Sequence, residues 1–328
     1  MRIALDVMGG DFAPKEILDG AKEALRGSDE LELLLAGDRE VILACWPQVD
    51  SEPKVEIVHC CEVIGMDEHP AMAYRKKKDA SITVATRLVR DGEAQAVVSA
   101  GSTGAQLAAS LFELGRMEGV SRPAIATFIP TMHGPKIMLD IGANLDSTPE
   151  NLRQFSWLGR IYCEVALNIA NPRVYLLSNG TEAEKGDELI VSTWPLLAAE
   201  EGLGFCGSIE GRDLFNGDAD VIVTDGFAGN IALKTMEGTA GALFAMMKEA
   251  FMANTRSKLG AALLKPALKE VKKQLDYEEI GGAPLLGVKG LSVVCHGSSN
   301  AKAMRVAILR TAGWIRSDLM GKLAEHKF

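Results

Sequence analysis

Strand-length apolar runs alternate with helix-length periodic segments along most of the chain, and this order limits the fold more than any other feature. Runs such as Ile3–Val7, Leu31–Ala36 and Ala124–Ile129 are almost entirely apolar, which is typical of strands buried on both faces. Segments such as Lys15–Arg26 and Glu150–Asn168 have helical periodicity. The pattern predicts an α/β protein in which a mostly parallel sheet lies between two helical layers, a three-layer α/β/α arrangement.

The length of 328 residues exceeds the roughly 250–300 residues that a single core usually serves. We expect residues 1–328 to form one α/β unit with two lobes, and two tightly joined domains are the alternative. Further predicted strands are Val55–Val58, Ala94–Ser99, Lys136–Ile141, Arg173–Leu177, Val221–Thr224 and Leu291–Cys295, and further predicted helices are Ala105–Gly115 and Ile231–Ala253.

Charge and composition exclude several classes of protein. A net charge of −9 disfavours nucleic acid as a partner, and no apolar run approaches the roughly 18 residues that a membrane span needs. The N-terminal segment 1–6 meets an acid too early for a signal peptide, so we expect a cytoplasmic protein. The six cysteines form no C-x-x-C pair and are predicted to be reduced structural thiols.

Four of the predicted strands run directly into short polar turns that are rich in glycine. Glycine permits close backbone approach, and a helix that begins at such a turn directs unpaired N–H groups at an anion. An ordinary strand-to-helix turn with a Ser or Asn cap accounts for any one of them, but four in one chain favour a phosphate or carboxylate site. The four turns are Ser99–Ala105, Asp140–Asn144, Thr224–Asn230 and Cys295–Asn300.

Other polar features near strand ends have both a structural and a functional interpretation. The segment Asp6–Asp11 contains two acids and a glycine pair, which are either local turn caps or a wall of the site. Lys185 is either a solvated loop lysine or a phosphate ligand, and His296 is either a hydrogen-bonded structural residue or a general acid suited to neutral pH. Cys295 is better explained as a core residue than as a nucleophile.

The sequence lacks the motifs of several common site classes. It contains no G-x-x-x-x-G-K-[ST] phosphate loop, no G-x-G-x-x-G after the first strand and no G-x-S-x-G turn. No His or Cys cluster has zinc-ligand spacing. The glycine-rich turns therefore indicate anion binding without nucleotide, metal or serine-hydrolase chemistry.

Five long motifs occur in a fixed order, namely Asp6–Pro14, Leu139–Asn144, Val223–Asn230, Gly281–Gly287 and His296–Ala301. They give the chain a specific resemblance from residue 1 to about residue 313. It resembles the phosphate acyltransferase family (acyl-ACP:phosphate transacylases) of bacterial phospholipid synthesis. The family usually has Asn at the position of Ser102, and the turn 178–186 differs from the family's usual text although Lys185 is kept.

The resemblance implies an α/β/α fold related to the isocitrate and isopropylmalate dehydrogenases, a homodimer, and no metal or nucleotide cofactor. It also implies transfer of a long-chain acyl group from acyl carrier protein to inorganic phosphate. The acyl phosphate product then serves a membrane glycerol-3-phosphate acyltransferase in phospholipid synthesis.

Formation of an acyl phosphate from a thioester needs no enzyme nucleophile, since phosphate is itself an anionic nucleophile, so we expect the protein to act by positioning and electrostatic stabilisation. Lys185 is predicted as counter-charge to phosphate, Asn230 as a donor to the oxyanion, and His296 or a water as the acid for the leaving thiolate. The predicted phosphate- and substrate-binding residues are Asp6, Gly9, Gly10, Asp11, Ser102, Thr103, Gly104, Asn144, Asp225, Gly226, Gly229, Gly297, Ser298 and Ser299.

Three rival functions remain open at this point. A dehydrogenase of the isopropylmalate type would share the fold and use NAD with a divalent metal. A short-chain phosphotransacetylase using acyl-CoA is chemically closer. A non-catalytic scaffold of lipid synthesis would bind membrane or partners without releasing a carrier thiol.

A basic island stands out in this acidic chain. Residues 255–275 contain six Lys and Arg and one acid, while Leu264 and Leu268 continue an apolar stripe at helical spacing. Such a basic amphipathic helix is typical of contact with an anionic membrane surface, and packing on a partner subunit is the alternative. We predict that the segment 254–282 protrudes and that Leu264 and Leu268 contact the membrane.

Overall fold

The computed structural model describes residues 1–275 and 281–328, except for the side chains of residues 270 and 272–275. The strands are β1 (Arg2–Asp6), β2 (Glu32–Gly37), β3 (Val55–His59), β4 (Ala96–Ser99), β5 (Ala124–Ile129), β6 (Lys136–Leu139), β7 (Val174–Ser178), β8 (Phe205–Glu210), β9 (Val221–Val223), β10 (Ala283–Leu286) and β11 (Leu291–Val294). The helices are α1 (Lys15–Arg26), α2 (Arg39–Cys45), α3 (Pro70–Lys76), α4 (Ser81–Arg90), α5 (Thr103–Ala109), α6 (Pro149–Leu167), α7 (Glu188–Ala198), α8 (Gly226–Met252), α9 (Thr255–Leu275), α10 (Ala301–Arg316) and α11 (Leu319–Glu325).

The described strands join into one continuous sheet in the order β3-β2-β1-β4-β11-β10-β5-β6-β9-β7-β8. Neighbouring strands are parallel from β3 to β11 and again from β6 to β8. Alternate side chains of β1 point to opposite faces of the sheet. Ile3 and Leu5 pack in the core on the side of α1 and α10, and Ala4 packs in the core on the side of α4. The predicted α/β/α fold with a mostly parallel sheet is confirmed.

Three consecutive antiparallel pairings divide the sheet into two halves. They are β11 with β10, β10 with β5, and β5 with β6. Because an odd number of reversals separates the halves, the strands β1, β4 and β11 run opposite to β6, β9 and β7. The turns that follow β4 and β11 therefore lie at one edge of the sheet, and those that follow β6 and β9 lie at the other. The prediction of two lobes in one unit stays a prediction.

The helix α8 is unusually long and leaves its C-terminal part largely uncovered. It begins after β9 and packs on β6 and on α9. Leu243 and Met246 of α8 are exposed, as are Leu259, Leu263 and Leu264 of α9, while Leu268 is half-buried. Residues 276–280, which belong to the predicted 254–282 segment, lie outside the described residues. No helix in the described part of the chain is long and apolar enough to cross a membrane.

Candidate active site

A cavity of about 410 Å³ lies between the two halves of the sheet. Its wall contains Gly101 and His296 from the turns after β4 and β11, and Gly142 from the turn after β6. The first turns of α8 cross it and contribute Asn230 and Leu233. The long helix thus connects turns from opposite edges of the sheet, and the site draws residues from both halves.

The turn after β1 is held by a buried carboxylate. Ser99 Oγ donates to Asp6 Oδ2 over 2.6 Å, and a Cβ on Gly9 would overlap the same oxygen. Burial raises the pKa of Asp6. Asp6 and Gly9 are not among the described residues of the cavity wall. Their contacts instead connect the turn after β1 to the turn after β4.

The turn after β1 reaches the cavity at Asp11. Gly10 adopts φ of +119°, a conformation that side chains disfavour, and the following N–H of Asp11 donates to Gly297 O over 2.8 Å. Asp11 and Gly297 both line the cavity. The turns after β1 and β11 are therefore tied together at the cavity wall.

The turn after β4 places one predicted hydroxyl on the wall and uses another as a helix cap. Thr103 lines the cavity. Ser102 caps α5, since its Oγ accepts from the N–H of Ala105 over 3.4 Å, and a Cβ on Gly104 would lie 2.5 Å from Pro70 Cγ. Ser is among the best N-cap residues, so Ser102 suits the position at which α5 begins.

His296 and the two serines after it form a compact turn. Ser298 Oγ lies 2.7 Å from His296 Nδ1, and the N–H of Ser298 lies 3.2 Å from the same nitrogen. The N–H of Ser299 donates to His296 O over 2.9 Å. His296 and the buried Ser299 line the cavity, so this turn supplies hydroxyl and imidazole groups to one end of it.

A second buried carboxylate shapes the turn after β6. Burial raises the pKa of Asp140, although hydrogen bonds from Ala143, Asn144 and other backbone N–H groups oppose that rise. Asn144 Nδ2 donates to Asp140 Oδ2 over 2.8 Å and to Pro123 O over 2.7 Å. Asn144 is buried and lies behind the described cavity wall, where it holds the carboxylate in place.

The beginning of α8 packs tightly against this turn. Asp225 Oδ1 caps the helix by accepting from the N–H groups of Phe227 and Ala228 over 2.9 and 3.0 Å. A Cβ on Gly226 or on Gly229 would overlap atoms of Asn144 and Asp140. These two glycines therefore allow the close approach that brings the next residue of α8 to the cavity.

Lys185 belongs to a turn other than those that line the described cavity wall. It is exposed in the turn between β7 and α7, where its backbone carbonyl accepts from Ser178 Oγ over 3.4 Å. Lys185 is absent from the described wall of the cavity. The structure thus brings together Asp11, Thr103, Asn230, His296, Gly297 and Ser299 on that wall, and leaves Lys185 outside it.

Comparisons with known proteins assign the chain to a family. A family model described as "Fatty acid synthesis protein" matches residues 1–322. A phosphate acyltransferase of Desulfitobacterium hafniense (strain DSM 10664 / DCB-2) is 54% identical over 309 residues, which cover 94% of this chain and 92% of the relative. One of Heliobacterium modesticaldum is 52% identical over 328 residues, 99% of this chain and 97% of the relative. The chain belongs to the phosphate acyltransferase family. Membership confirms the prediction that it is an acyltransferase, an enzyme of the EC 2.3.1 class.

Solved structures similar to this chain share its fold at low sequence identity. A EutD phosphotransacetylase from Staphylococcus aureus has a TM-score of 0.63 and 18% identity, with 95% of this chain and 93% of that chain covered. A 4-hydroxythreonine-4-phosphate dehydrogenase from Klebsiella pneumoniae has a TM-score of 0.54 and 13% identity, with 95% and 98% covered. The α/β/α fold of the phosphate acyltransferases thus also occurs in transacylases and dehydrogenases.

Sequence reasoning overlooked two charged residues of the cavity, Lys234 and Glu237. They lie four and seven residues after Asn230, so all three occupy one face of α8. Lys234 Nζ lies 3.3 Å from His296 Nε2 and 2.7 Å from Glu237 Oε2. Their i, i+4, i+7 spacing indicates a shared helix face, although Lys234 and Glu237 lie past the first turn of α8 and beyond the strand ends where ligands of α/β sheets usually bind.

The cavity also includes a thiol. Cys295 lines it, and burial raises the pKa of Cys295 to about 12. Because the thiolate is the reactive form, this cysteine remains a protonated, unreactive wall residue at neutral pH. Its environment agrees with the interpretation of Cys295 as a core residue.

Proposed function

We propose that the protein transfers a long-chain acyl group from acyl carrier protein to inorganic phosphate and releases an acyl phosphate for glycerol-3-phosphate acylation. The observation that carries this proposal is the composition of the cavity. Its hydroxyl, amide and imidazole groups suit phosphate, and its apolar wall, which includes Ile125, Leu233 and Val294, suits the acyl portion of a thioester.

The reaction forms one carbon–oxygen bond and breaks one carbon–sulfur bond. An oxygen of phosphate attacks the thioester carbonyl carbon, the carbonyl oxygen becomes an oxyanion, and the thiolate of the carrier leaves and takes up a proton. Phosphate is the nucleophile, which agrees with a protonated Cys295 that forms no acyl-enzyme. The protein then contributes positioning and charge stabilisation.

The cavity residues fit these roles in a specific way. Thr103 and Ser299 lie on the wall and supply donors for phosphate, with Ser298 beside His296. Asn230 keeps one amide hydrogen on Ile141 O over 3.0 Å, and its second amide hydrogen serves the oxyanion. His296, or a water beside it, protonates the thiolate. Lys185 remains a proposed counter-charge that approaches phosphate from outside the cavity wall.

The same proposal includes the partners and the location of the enzyme. It acts as a homodimer in the cytoplasm, contacts the membrane reversibly through Leu264 and Leu268, and passes its product to a membrane glycerol-3-phosphate acyltransferase. The exposed apolar side chains of α9 and the nearby Lys258 and Lys265 support the membrane contact, since apolar and basic groups together bind anionic lipid surfaces.

The decisive experiment incubates the purified protein with palmitoyl-ACP, with and without inorganic phosphate, and detects acyl phosphate and free carrier thiol. Both products should form only when phosphate is present. A parallel reaction with acetyl-CoA addresses the alternative, and faster turnover of acetyl-CoA would replace the proposal with a short-chain phosphotransacetylase. Thiol release from neither donor would favour a scaffold, and reduction of NAD with a hydroxy acid would favour a dehydrogenase.

A further inference from the structure

Lys234 is the single Lys or Arg among the described residues that line the cavity. The wall also contains two carboxylates, Asp11 and Glu237, and the imidazole of His296. Phosphate and the oxyanion that follows its attack are both negatively charged, and a cavity with carboxylates on its wall repels them unless a cation is present. Lys234 supplies that cation on the cavity wall, whereas the sequence alone had indicated only Lys185 as a counter-charge to phosphate.

Glu237 holds the lysine in place from the same helix. Lys234 Nζ donates to Glu237 Oε2 over 2.7 Å, an i, i+3 pair on the face that carries Asn230. An ammonium group has three N–H donors. One serves Glu237 and one faces His296 Nε2 over 3.3 Å, which leaves a third donor for a ligand.

We propose that Lys234 binds the substrate phosphate in this cavity, with Glu237 as the residue that positions it. The inference rests on the proposed function and adds to it the group that neutralises the nucleophile. A hydrogen bond from a charged donor is worth about 1.5–3 kcal/mol, which corresponds to a change in phosphate affinity of about 10- to 150-fold.

The turn after β11 places Ser298 on the other side of the same imidazole ring. The backbone N–H of Ser298 donates to His296 Nδ1 over 3.2 Å, and Ser298 Oγ lies 2.7 Å from that nitrogen. Lys234 Nζ lies 3.3 Å from the opposite ring nitrogen, Nε2. The ammonium group of Lys234 and the hydroxyl of Ser298 therefore flank one imidazole ring.

The test replaces the charge while keeping the length of the side chain. Lys234→Met should raise the KM for phosphate about 10- to 100-fold and leave the KM for acyl-ACP within about twofold. Lys234→Arg should restore most of the phosphate affinity. Glu237→Gln should raise the phosphate KM by a smaller factor, about three- to tenfold, without a matching loss in kcat, because it loosens the lysine without removing it.

Lys248→Met is the matched control, since Lys248 is exposed further along α8 and lies outside the described cavity wall. Calorimetric titration with inorganic phosphate gives a readout that is independent of turnover. Unchanged phosphate affinity in a folded Lys234→Met variant of an active enzyme would overturn this inference and leave the proposed function standing. If the wild type makes no acyl phosphate, the proposed function fails, whereas loss of calorimetric phosphate binding in Lys234→Met would still support the lysine as an anion ligand.

Discussion

The side-chain amide of Asn230 donates to the backbone carbonyl of Ile141 over 3.0 Å, which links the first turn of α8 to the turn after β6. A Cβ on Gly142 would lie 2.9 Å from the same amide nitrogen. The glycine therefore keeps the space in which Asn230 sits, and the hydrogen bond fixes the direction of the second amide hydrogen.

Asn230→Ala should reduce kcat more than it weakens phosphate binding, because the proposed contact with the oxyanion becomes strong only in the transition state. Loss of one oxyanion donor typically lowers kcat by about 10²- to 10³-fold. Steady-state kinetics with varied phosphate measure both parameters, and Thr235→Ala, at an exposed position one turn later, serves as control. A raised phosphate KM with unchanged kcat would reassign Asn230 to ground-state binding.

Lys185→Ala should lower kcat/KM for phosphate by about 10- to 100-fold, because the variant loses a charge-assisted contact between the proposed counter-charge and phosphate. Its side chain is exposed, so the melting temperature should stay close to that of the wild type. Glu184→Ala, in the same exposed turn, controls for changes in the turn itself. Wild-type rates at limiting phosphate would show that Lys185 is a bystander, and Lys234 would then be the principal cation.

Cys295→Ala should retain most of the activity, within about threefold, because phosphate attacks the thioester directly. With a pKa of about 12, the thiol is on the order of one part in ten thousand ionised at pH 8. Intact-protein mass spectrometry after reaction with acyl-ACP in the absence of phosphate provides the check. An acyl group trapped on Cys295 would contradict direct attack.

Asp220→Asn should destabilise the protein by about 3–5 kcal/mol at pH 7, since it leaves the buried Lys136 without its partner. Burial alone would raise the pKa of Asp220, but hydrogen bonds from Arg173 and Lys136 hold it below its ordinary value of 3.8. A lowered pKa in the folded state stabilises the protein at pH values above about 4, and this contribution is lost as the pH falls further.

The difference in unfolding free energy between the wild type and Asp220→Asn should therefore narrow below about pH 4. Urea unfolding at a series of pH values measures it. The matched control is Asp218→Asn, because Asp218 pairs with the same Arg173 over 3.1 Å but is exposed. Equal effects of the two substitutions would mean that the buried pair adds no more than the exposed one.

Replacement of both Leu264 and Leu268 by Glu should release the protein from anionic vesicles and spare its activity on soluble acyl-ACP. The change removes apolar area and adds charge beside basic residues that each contribute about 1 kcal/mol at such a surface. Leu196→Glu, at an exposed position on α7, is the control. Continued co-sedimentation of the double variant, or no binding by the wild type, would favour packing of α9 on a partner subunit.

Most strands were predictable because their residues are continuously apolar, and β5 has the predicted bounds Ala124–Ile129. The structure adds β8 and β10, which the sequence conceals. β8 is the last strand of the sheet and is interrupted by Gly207, whose φ is +106°. β10 contains Pro284 and is flanked by glycines with positive φ, and this combination of Pro and Gly is typical of a turn.

The site was predictable to the extent that it lies in glycine-rich turns, as Thr103, His296 and Ser299 do. Two features of the site were not predictable from the sequence, and each has a physical cause. Gly226 and Gly229 have the composition of an anion-binding turn, but here they permit contact between α8 and the turn after β6. The reversal of the sheet by β10 also cannot be read from local sequence, since strand direction depends on pairings distant in the chain.

The position of β11 between β4 and β10 has a consequence for biosynthesis. Val293 pairs with Val98 in the parallel register of β11 and β4. This pairing cannot form until the ribosome has synthesised β11, nearly two hundred residues after β4. Closing so long a loop is slow compared with local folding. While the ribosome makes the intervening chain, the edge of β4 has no β11 to pair with and is exposed to chaperones or to other nascent chains. The pocket, whose wall includes Ala283 and His296, therefore first exists when most of the polypeptide has been translated.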